Sequence, residues 1–468
     1  MPTPPPDQPI EDNRALTAFF AASAVDKQHR LIATTGEAFP YRLSTYAPVG
    51  YHESKGLRDF LAALCEHEGS PVIEDNFIVG AQLGNAVLTL QSGGRIRIAG
   101  SPLPNLHDTA QELGTILTEI NRLATPLDIG FAGIGFHPTA GLAEIADVPG
   151  ARFRLMRDAM SRRHSRGLDI LQRSCSAQIS LNYTDEADMV RKFRIASMLQ
   201  PVAAALFAVS PFAESDLSPF QSPRMQARLQ VEDADKNPLL PLIFEEGFGF
   251  ERYTEWAIDQ PLLYVERAGQ FYDAAGQSFR DFMAGKLSCL PGQRPFFADW
   301  QRHLENLVAE TGLTPNLTLS GADAGPAEMT EALAGYWTGI LYDERATNDA
   351  LELIKDWSYG DLAQFRVDAP RLGFNAEIRG YKASDLAHTT LTFAIQGLRR
   401  RAIRLNGGPD ESRYPQVMFD YTEGYQTRSS QFRMESERFG KFSLHKVFDI
   451  CRLLPPSEAG GAEGIDFA

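Results

Sequence analysis

The stretch CSAQISLNY, residues 175–183, alternates without a break. Cys175, Ala177, Ile179, Leu181 and Tyr183 fall on one face of a strand, and Ser176, Gln178, Ser180 and Asn182 on the other. Strict period two over this length predicts a strand laid on a core, its second face polar but uncharged. Thr184 then reads as the cap of a long helix running to about Ser210, with Asp185, Glu186 and Asp188 in the first turn, at the positive end of the helix dipole. Two other stretches fit beside this strand. LIATTGEAF, residues 31–39, places Thr35 and Glu37 on one face. AVLTLQ-SGG-RIRIAG, residues 86–100, reads as a hairpin turned by glycines, with Thr89, Gln91, Arg95 and Arg97 on one side and Leu88, Leu90, Ile96 and Ile98 on the other. With the three as neighbours, the expected architecture is α+β: an antiparallel sheet with a polar concave face and helices packed on the other face.

Working outward, helices are predicted over 9–24, 54–68 and 107–123 and through most of 301–357, with a final helix over 383–405. Arg399–Arg401 near its end read as a solvated or dipole-compensating turn. GFAGIGF, residues 130–136, reads as a glycine-dotted strand that eases close packing, since no Lys-Ser/Thr follows to make a phosphate loop. Residues 13–453 are expected to form a single domain between flexible tails at 1–12 and 454–468.

The chain has 468 residues, 45 basic and 60 acidic, for a net charge of −15. That balance repels nucleic acid and anionic membranes, so neither is expected as a partner. The start, MPTPPPDQPIEDNR, lacks the pattern of an export signal. The most apolar stretch, residues 201–213, is too short for a membrane span and reads as a buried helix end. Four scattered cysteines, Cys65, Cys175, Cys289 and Cys451, form neither a zinc motif nor a disulfide framework, so a cytoplasmic location is expected.

The polar face thus displays one carboxylate, Glu37, and two guanidiniums, Arg95 and Arg97, among neutral amides and hydroxyls. Binding Mg²⁺ with a nucleotide takes several anionic oxygens, so no metal-ligand set is assigned. Arginine forks beside amides instead favour a carboxylate or phosphate bound directly. An ordinary wetted face of an antiparallel sheet would carry the same residue types.

From about Asp26 to Arg404 the chain resembles the glutamate-cysteine ligase family of plants and proteobacteria. The resemblance rests on DNFIVG, GIGFHP, RFRLMRDAM, GLDILQRSCSAQISLNYTDEADMVRKFR, LQPVAAALFAVSPFAE, FRDFMAGKLSCLPG, GADAGP and YWTGILYD. It implies a saddle-like antiparallel sheet cupping the substrates, and an ATP- and Mg²⁺-dependent joining of glutamate to cysteine. The departures gather at the family's catalytic motifs. Its I-G-T-E-H-E-K-F is matched by residues 32–39, where Thr35 replaces the first acid and Glu37 keeps the second. Its L-E-P-G-G-Q-F-E is matched by residues 90–97, where Gln91 and Arg97 replace both acids and Arg95 replaces the glutamine. Its W-x-D-x-D-x-x-R falls on Arg228, Gln230, Glu232 and Asp235, and its phosphate-side arginines fall on Ser320, Glu328 and Met329. A regulatory disulfide of the plant members would need Cys289 and a partner at Ala274, so that switch is not expected.

By the resemblance, Glu37, Arg157, Arg173, Gln178, Asn182 and Arg224 are retained, with Glu37 the one retained family acid, and the residues expected to bind ligand are Gln91, Arg95, Arg97, Gln178, Asn182 and Arg224. Arg97 is expected to occupy the vacated metal position, paired with Asp235, Glu37 or a ligand carboxylate. The reading that follows is a family homologue with the Mg-ATP-dependent ligase reaction lost or altered. It would bind a small anionic, amino-acid-type or γ-glutamyl ligand, or regulate a protein partner. The alternative is an active ATP-dependent carboxylate-amine ligase, with ATP and Mg²⁺ as its cofactors.

Overall fold

The structure is a computed structural model that describes residues 5–67, 69–233, 238–404, 408, 410–439 and 444–455. The alternating stretches pair as their patterns require. β1 (Ile32–Arg42) lies at the centre of a nine-stranded antiparallel sheet. On one side it meets a meander of β2 (Ser70–Glu74), β3 (Phe77–Leu83), β4 (Ala86–Leu90) and β5 (Ile96–Ala99). β6 (Ile129–Ala132) pairs with the far end of β1, and β7 (Ala177–Leu181) with its near end. After two short pairs, β8 (Phe212–Ala213) with β9 (Asp216–Leu217) and β10 (Tyr264–Arg267) with β11 (Gln270–Asp273), β12 (Thr311–Leu313) and β13 (Leu317–Leu319) complete the sheet. Its order is β12-β13-β7-β1-β5-β4-β3-β2, with β6 off that path.

The apolar face of β7 is covered by α6 (Glu186–Leu206) and α11 (Ala327–Leu341), both almost wholly buried. Asp185 caps α6 by accepting from Asp188 N–H, one residue later than the expected Thr184 cap; Thr184 donates instead to the Asp185 and Asp188 carboxylates. Behind the meander, α2 (Leu57–His67) and α3 (Leu106–Ala124) enclose a second apolar cluster around Leu88, Leu90, Ile96 and Ile98. The glycines of 130–136 do allow close approach. A Cβ on Gly133 would lie 2.1 Å from Gly325 O, and one on Gly135 2.1 Å from the Asp323 carboxyl carbon.

Three expectations change. The helix α14 (Ala383–Arg404) is not the last, because further helices span Arg428–Phe439 and Leu444–Ile450, and Phe432, Val447 and Phe448 are buried in the main core. Of Arg399–Arg401 only Arg399 is exposed: Arg400 pairs with Asp343, and Arg401 with buried Glu411. The first tail is docked where it is described, since Ile10 is buried and Pro9 bridges to Phe296; residues 1–4 and 456–468 lie outside the described residues. No helix of the described residues is long and apolar enough to cross a membrane.

Candidate functional site

The polar sheet face forms as its sequence requires. Thr35 stands opposite Gln178 across β1 and β7, Glu37 opposite Arg97 across β1 and β5, and Thr89 opposite Arg97 across β4 and β5. Above this floor opens a cleft of about 450 Å³, the size of a small-molecule site. Its far wall comes from α4 (Ala151–Arg163), the β10–β11 ribbon and the end of α10 (Phe297–Glu305), with apolar surface from Met156, Met160 and Phe271.

The two hairpin arginines have separate fates. Gly93 and Gly94, at φ +78° and +76°, turn the chain tightly, and a Cβ on Gly93 would meet Gln172 O at 2.7 Å. That turn tucks Arg95 into the edge of the floor, beside the end of α5 (Gly167–Gln172), where it still lines the cleft. There its guanidinium donates to Ser92 O (3.2 Å), Leu171 O (2.7 Å) and Ser174 O, and pairs with Glu37 at 3.2 Å. Glu37 Oε2 also accepts from Ser176 N–H (2.8 Å) and the Ser176 hydroxyl (3.1 Å). Arg95 is thus a binding residue of the protein's own backbone, 6% exposed, with its donors engaged. The carboxylate expected for Arg97 goes to Arg95 instead. Arg97, half-buried on the floor, makes no ion pair or side-chain hydrogen bond among the described residues, and Asp235 lies outside them.

Two further expected ligand residues are also internal. Arg224, on α7 (Pro223–Asp233), is 2% exposed and donates to Gly321 O (2.8 Å) and Ser320 O (2.6 Å), facing Asp323 at 3.7 Å. Asp323 accepts from Val209 N–H and from the Ser210 and Ser222 hydroxyls; burial pushes its carboxyl up, and Arg224 opposes that shift. Asn182 does not line the cleft: its side-chain oxygen accepts from Leu31 N–H (2.6 Å) and its amide donates to Asn316 (2.8 Å), tying β1 to the β12–β13 turn. Gln178 and Gln91 do line it, and Gln91 also donates to Thr89 at 3.1 Å.

Other retained arginines sit elsewhere. Arg173 is buried against Asp169, Glu214 and the Phe136 ring, and Arg157 pairs with Asp147 in a neighbouring cavity. The far wall's charges were not found from sequence. Glu74 pairs with Arg152 (2.9 Å) and Glu266 with Arg302 (2.7 Å). Arg228 pairs with Glu232 (3.2 Å), which shares Arg366 with Glu310; burial raises the Glu232 carboxyl against the pull of both arginines. Apart from Arg228 and Glu232, one turn apart on α7, these residues are scattered through the chain with no local pattern to join them.

The donor set decides what the floor can hold. A hard divalent cation needs several anionic oxygens. Here Glu37 is shared by Arg95 and Ser176, Gln91 and Gln178 offer neutral oxygens, and Arg97 is a cation. Among the described residues no three His, Cys, Asp or Glu side chains converge as a metal site. The floor does not fit Mg²⁺; it fits an anion placed against Arg97.

Comparison with known proteins agrees with the fold. The model of "Glutamate-cysteine ligase family 2 (GCS2)" matches residues 36–438. The chloroplastic glutamate-cysteine ligase of Brassica juncea is 35% identical over 407 residues, 86% of this chain and 79% of that protein. That of Nicotiana tabacum is 36% identical over 392 residues, 84% and 74%. Among solved structures, a glutamate-cysteine ligase from Francisella tularensis in complex with AMP superposes with a TM-score of 0.53 at 13% identity, covering 90% of this chain and 87% of that one.

Proposed function

The chain belongs to glutamate-cysteine ligase family 2, and from that premise we propose that it keeps the family's cleft as a binding site for a small anionic, amino-acid-type or γ-glutamyl ligand while having lost the Mg²⁺-ATP ligase step. The observation that carries this reading is the exchange at Glu37. The one acid retained from the family's floor motifs faces a guanidinium, Arg95, where metal chemistry would need more anionic oxygen.

Phosphoryl transfer draws most of its rate from cations clamped around the moving phosphate. With Gln91 and Arg97 at acid positions and Glu328 at an arginine position, the charges that would do so are absent or reversed. What the floor offers is recognition. Arg97 supplies a two-pronged donor for a carboxylate, and the Gln91 and Gln178 amides can satisfy its neighbours. The four cysteines are unpaired, which supports our placing the protein in a reducing compartment such as the cytoplasm.

Titration calorimetry of the whole protein tests the reading. We expect heat for glutamate or γ-glutamylcysteine and none for Mg²⁺-ATP up to millimolar nucleotide. Saturable, Mg²⁺-dependent nucleotide binding followed by ADP release would establish the active ligase instead.

A further inference from the structure

The charges lining the cleft form pairs, with two exceptions of opposite sign. On the floor Glu37 is taken by Arg95; on the wall Glu74 is taken by Arg152 and Glu266 by Arg302. Arg224 and Arg228 are held by acids behind the cleft. Arg97 and Glu305 remain, and neither makes an ion pair or a side-chain hydrogen bond among the described residues. Arg97 is half-buried on the sheet floor, whereas Glu305 is exposed at the last turn of α10, on the opposite wall.

We propose that Arg97 and Glu305 form a clamp for a zwitterion, Arg97 taking the ligand's carboxylate and Glu305 its ammonium group. The inference rests on the cleft being a ligand site, and it adds which end of the ligand each wall reads. With the other described lining charges paired inside the protein, the cleft offers one free charge of each sign, so a ligand carrying an ammonium group as well as a carboxylate gains a contact that a purely anionic one, repelled by Glu305, does not. The ammonium contact is the weaker one, because Glu305 is solvated and its pair is screened. Between the two ends, Met156, Met160 and Phe271 offer apolar surface to the ligand's carbon skeleton.

The test uses calorimetric titration of the full chain and of the Arg97→Gln and Glu305→Gln variants with three probes: L-glutamate, glutarate, which lacks the ammonium group, and γ-glutamylcysteine. The clamp predicts that Arg97→Gln weakens all three by tenfold or more. Glu305→Gln should weaken the two amines by about fivefold and leave glutarate unchanged or slightly tighter. Glutarate binding as tightly as glutamate, with both indifferent to Glu305→Gln, would overturn the clamp while leaving the cleft a ligand site. Absence of heat with every probe would overturn the ligand site and the clamp together. Near-ultraviolet circular dichroism of each variant, matching the parent, verifies that lost binding is not lost structure.

Discussion

The buried frame around the sheet and the open floor on it treat charge in opposite ways. In the frame, Arg224, Asp323, Asn182 and Arg95 spend their polar atoms on backbone and on one another. On the floor, Arg97 faces Glu37 across the strands yet makes no ion pair or side-chain hydrogen bond among the described residues. Arg224, Asn182 and Arg95 thus have work inside the fold, whereas Arg97 is the guanidinium that the proposed reading leaves to meet a ligand.

Breaking the frame should cost most. Arg224→Met strands the Asp323 carboxylate in the core, so unfolding in urea should show a loss of about 3–5 kcal/mol. A loss under 1 kcal/mol would mean that Arg224 is not structural, and the contrast would fail. Gly135→Ala strikes the same frame by volume. Its Cβ would meet an Asp323 carboxyl fixed by three hydrogen bonds, at an expected cost of about 2–3 kcal/mol in the same assay.

Away from the cleft, Glu331 on α11 has a carboxyl pushed up to about 7 by burial and by Glu328, with Arg413 opposing. One of its oxygens is buried without a partner. A carboxyl whose folded pKa lies above its ordinary 4.5 binds more protons folded than unfolded, so its contribution is lost as pH rises from about 4.5 to about 7. Glu331→Gln should therefore stabilise the protein by about 1–2 kcal/mol at pH 8 and hardly at all at pH 4.5. Denaturant midpoints at the two pH values would show a gap that closes on acidification. The smallest effect belongs to the floor: Arg97→Gln should leave stability within about 0.5 kcal/mol, because no internal contact is lost.

Much of the fold was legible because it is written in period two. The strands at 175–183, 31–39 and 86–100 and their polar faces follow from alternation, and their neighbour relation, assumed from sequence, is what the pairing shows. The β12–β13 hairpin was missed inside a stretch read as helical, since three-residue strands around Thr314 and Pro315 carry too little pattern. The site was half legible. Alternation put both arginines on the polar side, where both line the cleft, yet the glycine turn ties the Arg95 donors to backbone carbonyls and Glu37 and leaves Arg97 unpaired among the described residues. The far wall was hidden because α4, β10, β11 and α10 meet there only through tertiary packing.

The central claim is that the exchange of acids for Arg97 and Gln91, with Glu37 held by Arg95, has ended phosphoryl transfer while leaving recognition in place. Release of ADP from Mg²⁺-ATP in the presence of glutamate and cysteine measures it most directly. The account predicts a rate no higher than a protein-free control. Release that saturates with both amino acids and disappears in Glu37→Gln would contradict it.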